Sequence, residues 1–480
     1  MSLMKSATRG VFWSGISQFS TQMYQFIVII VLARLLYPED FGIIGMAVIF
    51  TGLVQTINEL GLSAAIIQKK NINDNHLSTS FWISLGLGIS LFITTVIISP
   101  YIADFFKNEL VGPVVSVLSI GFIFGSCSVV HRSLLQKNIE FKKIAITEIV
   151  ASVMSGSLSI ILALFGFGVW SLVFGTILSN FTRSVLLWKV CTWRPSMTFD
   201  LTSFKELFSF GAHVMGSRFL NYIDSNIDYL LIGKFLSATA LGHYTLAYQL
   251  STFPLTRISS IITSVTFPTF SIIQDDNDTL RYAYLKVIKY ISTITFPLLA
   301  GLIMVAPDFI PIAFGEKWAP MIVPLQILCV AGALKSVGTT VGSILLSKGR
   351  SDIQFKWNVF TAIVLPIAIL IGIRYGITGV AMAITMMSFL LCLIIQSIAN
   401  NLINLNFSDY FKALYPATIG SILVIISLLI YQKLSIYNHL DIFSLTSSII
   451  IGVLVYMLVM RIMAKDLFIE IKVLITDMRK

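Results

Sequence analysis

The stretch SRFLNYIDSNIDYLLIGKFL, residues 217–236, sets one arginine and two aspartates into an apolar segment of a chain that is 56% hydrophobic and only 12% charged. At 3.6 residues per turn, Arg218, Asn221, Ser225 and Asp228 share one helix face, with Asp224 close beside it. A guanidinium matches the oxygens of an anionic group in a two-pronged geometry and is less strongly hydrated than an ammonium. A charge at the centre of a bilayer costs ~2.5–3.5 kcal/mol, so such residues line cavities or pair with one another. Counting ~1.5 Å per residue from Gly211, Arg218 lies roughly 10 Å inside, too deep for comfortable snorkelling. Glu59, Arg257 and Lys335 are further charges inside apolar segments. Glu148 and Arg183 lie near enough to the inner interface to reach headgroups and are read as structural. Two readings of the deeper charges stay open: buried ion pairs that hold helices together, or an anion site.

The elements that position these residues are membrane spans. A mean hydropathy of +0.87 over 480 residues, with apolar blocks of about twenty or more recurring to the end, indicates an all-α polytopic membrane protein. About fourteen spans are expected, near 11–33, 42–65, 80–102, 112–133, 144–165, 169–189, 209–233, 241–268, 285–306, 320–346, 356–373, 378–399, 413–431 and 442–463. The run from Val11 is too long for a signal-peptide core and lacks a small-residue cleavage pattern, so it is read as the first span. The polar stretches near 189–208, 269–284 and 465–480 are too short to bury a core of their own. With the amino terminus inside, the outer segments hold only Arg34, Lys107, Lys234, Lys317, Arg374 and Lys433, and the remaining loop cations fall inside. That asymmetry predicts both termini in the cytoplasm. It also accounts for the net charge of +10 without nucleic acid, because the basic residues are spread over successive loops.

Internal repetition organises the spans. LARLLYPEDFGIIGMAVIF, from Leu32, lies over IGKFLSATALGHYTLAYQL, from Ile232, at an offset of 200, so that Gly42 meets Gly242 and Ala47 meets Ala247. A weaker echo sets FGVWSLVFGTIL, from Phe167, against YGITGVAMAITM, from Tyr375. The expectation is an N-lobe over 1–200 (spans one to six), a C-lobe over 201–405 (spans seven to twelve), and two additional C-terminal spans with a cytoplasmic tail over 406–480. Six being even, the two lobes are parallel repeats. The same offset places Gln18, Thr21 and Gln25 of span one opposite the polar face of span seven, across a wet cavity between the lobes.

The four cysteines have no metal-ligand or disulfide spacing. Nothing resembles a phosphate-binding nucleotide loop, a metal cluster or a Ser-His-Asp arrangement, and His213 is read as a packing residue.

The hairpins LARLLYPEDFG and GKFLSATALGHY, with RSLLQKNIEFKKIA after span four and GEKWAPMIVPLQIL entering span ten, resemble the polysaccharide-transporter branch of the multidrug/oligosaccharidyl-lipid/polysaccharide exporter superfamily. The similarity is to Wzx-type flippases, particularly the colanic and teichuronic acid exporter subset, and it covers the whole chain. The resemblance implies two six-helix lobes around a central cavity that opens alternately inward and outward. It implies a flippase, not an enzyme, for undecaprenyl-pyrophosphate-linked oligosaccharide repeat units in a bacterial plasma membrane, with a polysaccharide polymerase and chain-length machinery as partners. On that basis Arg218, Arg257 and Lys335 are assigned to pyrophosphate, and Gln18, Gln25, Asn221 and Tyr222 to sugar hydroxyls. Asp224, Asp228 and Glu59 are assigned to a coupling Na+ or H+, with no other cofactor. Lipid II flipping and cation-coupled drug antiport are rival readings on the same fold, and a membrane glycosyltransferase is disfavoured because the outer loops are short.

Overall fold

The structure, a computed structural model, describes residues 20–58, 61–69, 71–255, 260–434 and 442–464, with side chains throughout except at 203–204, 207–214, 217, 220 and 260–265. All regular structure among these residues is helical. The helices are α1 (Ser20–Leu35), α2 (Pro38–Asn58), α3 (Leu62–Gln68), α4 (Asp74–Phe106), α5 (Val111–Leu118), α6 (Ile120–Lys137), α7 (Phe141–Leu164), α8 (Val169–Val190) and α9 (Leu201–Phe235). They continue as α10 (Ala238–Pro254), α11 (Ser260–Ile272), α12 (Asn277–Ala313), a 3₁₀ turn over Glu316–Met321, α13 (Ile322–Ser347), α14 (Ser351–Ile373), α15 (Gly376–Ile403), α16 (Phe407–Leu434) and α17 (Ile442–Met463).

Among the described residues, ten stretches are long and apolar enough to cross a membrane by length and composition. The four other expected spans coincide with α1, α8, α9 and the α10–α11 pair. These four are shorter or carry the polar residues that lower apolar density, Asn180 and Arg183 in α8 and Arg218, Asp224 and Asp228 in α9. The protein is an all-α polytopic membrane protein, and the described residues of each expected span are predominantly helical.

The chain divides into two compact units, Met1–Gly242 and His243–Lys480. In the first, α7 packs along α8, α4 along α6, and α9 against α2, α3 and α4. In the second, α12 is central, packed against α13, α16 and α17, while α15 lies against α13 and α14. A cluster of Tyr284, Ile288, Val341, Ile344 and Ala399 forms much of that unit's core. Apolar side chains remain exposed along the span surfaces, Ile97, Ile371 and Leu454 among them, as lipid-facing helices require.

The repeated hairpin is reproduced in the backbone. Each helix ends at 35 or 235, the chain breaks over two residues, and the next helix starts at 38 or 238. Leu36 N donates to Leu32 O (2.8 Å) and Leu236 N to Ile232 O (2.9 Å). The two hairpins also touch each other reciprocally within the first unit. A Cβ on Gly42 would come 1.7 Å from Ala238 O, and one on Gly242 would come 1.9 Å from Pro38 O. Adding 200 to one member of each pair and subtracting it from the other exchanges the two contacts, which is the signature of a local two-fold. Glycine is required at both positions because backbone approaches backbone there. The second echo holds locally too: Gly168 (φ 53°) opens α8 and Gly376 (φ 67°) opens α15.

Candidate functional site

The helix α9 that carries Arg218 is fixed to the first unit before it begins. The polar segment 191–200 lies along one face of α4. Ser196 N donates to Ser78 Oγ (3.1 Å), Trp82 Nε1 to Ser196 O (2.8 Å), and Asp200 N to Thr79 Oγ1 (3.0 Å). Trp193 adds a hydrogen bond from Nε1 to Asp74 Oδ1 (3.2 Å) and packs with Phe81, Trp188 and His131. At the start of α9, Glu206 pairs with Lys69 and accepts from His76 Nε2. Further along, Tyr222 Oη donates to Val48 O (3.0 Å), with Ile49 O at 3.1 Å, and a Cβ on Gly52 would meet that hydroxyl at 2.2 Å. The missing side chain at residue 52 is therefore what lets α9 dock on α2. Near the other end, Lys234 donates to Phe105 O (2.6 Å) and stands 4.2 Å over the Phe105 ring.

Between these anchors lies a cavity of about 370 Å³ lined by Gln55, Thr56, Arg218, Asn221, Tyr222, Ser225 and Asn226. It brings together three of the expected site residues, Arg218, Asn221 and Tyr222. Among the described residues its wall holds a guanidinium, three amides and three hydroxyls and no carboxylate. Asp224 is half-buried and Asp228 is 6% exposed, with Oδ1 accepting from Tyr229 N (2.9 Å); neither lines this cavity. Gln25 is exposed on α1. Lys335 belongs to the second unit, where Nζ lies 3.4 Å from Tyr248 Oη and 5.4 Å from the centre of that ring. Gln18, Glu59, Arg257 and the His213 side chain lie outside the described residues.

Two lining residues escaped the sequence reading. Gln55 and Thr56 sit one turn beyond Thr51 and Gly52 on α2 and share a face with them, the same signal that singled out Arg218 on α9. The sequence reading took Glu148 and Arg183 as structural and did not join them to Arg132. In the first unit a cavity of about 340 Å³ is lined by α2, α6 and α8, and Gln55 borders this cavity too. On its wall are Arg132 and Arg183, both paired with Glu148 of α7. Three complementary charges at one depth on three consecutive spans were the available signal.

A cavity of about 490 Å³ in the second unit is of another kind: Pro297, Leu298, Val305, Val424, Leu428 and Val453 dominate its lining between α12, α16 and α17.

The sequence profile of polysaccharide biosynthesis proteins matches residues 31–323, a range that contains both hairpins and both first-unit cavities. The chain belongs to the polysaccharide biosynthesis protein family. Over 401 residues it is 33% identical to the lipopolysaccharide biosynthesis protein WzxC of Escherichia coli (strain K12), covering 83% of this chain and 80% of that protein. It is 31% identical to the teichuronic acid biosynthesis protein TuaB of Bacillus subtilis (strain 168), over 86% of each. These matches bear out the resemblance read from the hairpin motifs. Among solved structures, the lipid II flippase MurJ in an inward closed conformation superposes with a TM-score of 0.78 over 95% of this chain and 100% of that one. At 16% identity that likeness shows a shared fold.

Proposed function

We propose that this family member moves undecaprenyl-pyrophosphate-linked oligosaccharide repeat units across a bacterial plasma membrane by alternating access, supplying exopolysaccharide, O-antigen or capsule assembly on the far side. The observation that carries this reading is the Arg218 cavity, a polar chamber inside a membrane-spanning unit, whose described lining is a guanidinium, three amides and three hydroxyls. The guanidinium suits pyrophosphate oxygens, and Gln55, Asn221, Ser225 and Asn226 offer the amides and hydroxyl that sugars exchange for water. The polyprenyl tail stays in lipid. The guanidinium on this wall disfavours export of lipophilic cations, the chemistry of the drug-antiport alternative.

The remaining assignments belong to the same proposal. Arg257 and Lys335 assist with pyrophosphate, while Gln18 and Gln25 join the sugar contacts. Asp224, Asp228 and Glu59 take a coupling Na+ or H+, with substrate binding left to the arginines. Two repeat-related lobes rock against each other, and both termini are cytoplasmic, as the loop-charge asymmetry supports. A polymerase on the far side receives the product.

The test is the lipid pool of a strain lacking the gene. The expected result is lipid-linked repeat units accumulating in the cytoplasmic leaflet, cleared by the wild-type gene and not by Arg218→Ala at matched protein level. An unchanged lipid pool would contradict the proposal.

A further inference from the structure

The second polar cavity of the first unit has an ionic arrangement that the pyrophosphate reading does not use. Arg183 donates from Nε (3.1 Å) and Nη2 (3.0 Å) to Glu148 Oε2, and its Nη1 donates to Asn180 Oδ1 (3.1 Å). Arg132 reaches the other oxygen, Glu148 Oε1, through Nη1 alone (3.2 Å). Two guanidiniums thus share one carboxylate, and the trio keeps one positive charge. Arg183 is committed through three nitrogens and Arg132 through one, and Arg132 is the more exposed, 43% against 30%. The charge left over is carried by the face of Arg132 that looks into the cavity.

Its position is not that of a surface ion pair. Arg132, Glu148 and Arg183 lie five to seven residues from the same-side helix ends at Lys137, Phe141 and Val190. At ~1.5 Å per residue that is roughly 8–10 Å along the helices. An uncompensated charge at that depth marks a site of interaction. Around it the wall offers hydrogen-bonding groups that a sugar can use, from Gln55, Thr176 and Asn180, and Gly121 and Gly125 let the amides of Asn180 and Gln55 pack against α6, where a Cβ would meet them at 2.8 and 3.3 Å. Gln55 borders both this cavity and the Arg218 cavity, so a glycan whose pyrophosphate sits on Arg218 extends past Gln55 toward Arg132.

We propose that Arg132, oriented by Glu148, is a specificity subsite for the carboxylate of an acidic sugar in the translocated oligosaccharide. This rests on the reading of the protein as a carrier of lipid-linked oligosaccharides. A planar two-oxygen acid fits the uncommitted edge of a single guanidinium. A phospholipid headgroup phosphate is the other source of an anion at this depth, and the test separates the two.

The experiment measures binding to the full-length protein in phosphatidylcholine nanodiscs. The probes are farnesyl pyrophosphate bearing a disaccharide that ends in glucuronic acid, and its glucose-ended counterpart. Wild type is expected to favour the acidic probe by about tenfold. Arg132→Gln leaves the neutral Arg183–Glu148 pair in place, so it removes that preference and changes the affinity for the glucose-ended probe by less than about twofold. Arg132→Lys restores part of the preference, which separates a role in recognition from a folding defect. Arg218→Ala weakens both probes together. Equal affinities in wild type, or an equal loss of both probes in Arg132→Gln, overturns the subsite while the carrier reading stands. If neither probe binds wild type, the carrier reading falls and the subsite with it. If adding phosphatidylglycerol to the discs erases the preference, the anion held by Arg132 is a headgroup, and the glycan assignment is wrong.

Discussion

The two units of the chain enclose cavities of opposite chemistry. Two cavities of the first unit are walled by Arg218, Asn221, Gln55, Arg132, Asn180 and Arg183 among others, while a cavity of about 490 Å³ in the second is lined mainly by proline, leucine, isoleucine, valine and glycine. Both are groups of membrane helices whose outer faces meet lipid, so the difference does not come from the surroundings. It comes from what each cavity can exchange for water. A hydrated sugar or pyrophosphate loses its hydrogen bonds on entering an apolar cavity, a cost of several kcal/mol per group. It keeps them among amides and guanidiniums. A hydrocarbon chain has the reverse preference. On the proposed reading, a polar cargo is recognised in the first unit's cavities and avoids this apolar cavity of the second.

The largest expected effect that would sharpen this contrast is at glycine. Gly42→Val and Gly242→Val each drive a side chain into the backbone of the opposite hairpin, at Ala238 and Pro38. Both are expected to abolish folded protein, read as loss of the monodisperse peak in detergent gel filtration. Because the contact is reciprocal, the two variants should fail alike; survival of one alone would show that the local two-fold is not a constraint. Next come the carboxylates of α9. In Asp224→Asn and Asp228→Asn, turnover is expected to fall by about tenfold while substrate affinity stays within about twofold, if these groups hold the coupling ion. Parallel losses of affinity and turnover would move them into the binding wall.

The contrast breaks if the apolar cavity matters as much as the polar ones. Gly301 faces it, and a Cβ there meets nothing within 4 Å, so Gly301→Phe can be accommodated. Transport by this variant is expected within about twofold of wild type, since no polar part of the cargo enters that space. A loss as deep as that of Arg218→Ala would place cargo in the second unit's cavity.

The smallest effect concerns how the two hairpins stop and restart their helices. In the first, the Tyr37 backbone N–H donates to Asp40 Oδ2 (2.9 Å); in the second, the Ala240 N–H donates to Ser237 Oγ (3.1 Å). Each hairpin uses one half of a capping box, and the halves are different. Asp40→Ala and Ser237→Ala are each expected to cost about 1 kcal/mol of stability, read by thermal unfolding, with transport unchanged.

These caps explain why the repeat was legible at some positions and silent at others. Gly42 and Gly242 match because a backbone contact excludes any side chain, whereas residues 37 and 40 differ from 237 and 240 because each hairpin caps a different N–H group of its helix start, that of Tyr37 in one and that of Ala240 in the other. The spans were legible for a similar reason: a bilayer imposes length and apolarity on every crossing helix, and α9's polar face broke that rule visibly. Gln55 and Thr56 broke it too, on α2, but uncharged side chains interrupt an apolar pattern less sharply than Arg218 does. Arg132, Glu148 and Arg183 could be read one at a time as interface residues; only their convergence around one carboxylate, set by the packing of α6, α7 and α8, makes them a site. The apolar cavity of the second unit left no trace in sequence, because a leucine that lines a cavity and one that faces lipid satisfy the same requirement.

The most direct test of the central claim is translocation by purified protein. Liposomes carrying an undecaprenyl-pyrophosphate-linked oligosaccharide in the inner leaflet only, with a glycosidase outside that releases its terminal sugar, report movement as sugar released. The expectation is release with wild-type protein, none above protein-free liposomes with Arg218→Ala, and partial release with Arg218→Lys, where the charge survives without the two-pronged geometry. Release by Arg218→Ala at the wild-type rate, or none by wild type under an imposed Na+ or H+ gradient, would contradict it.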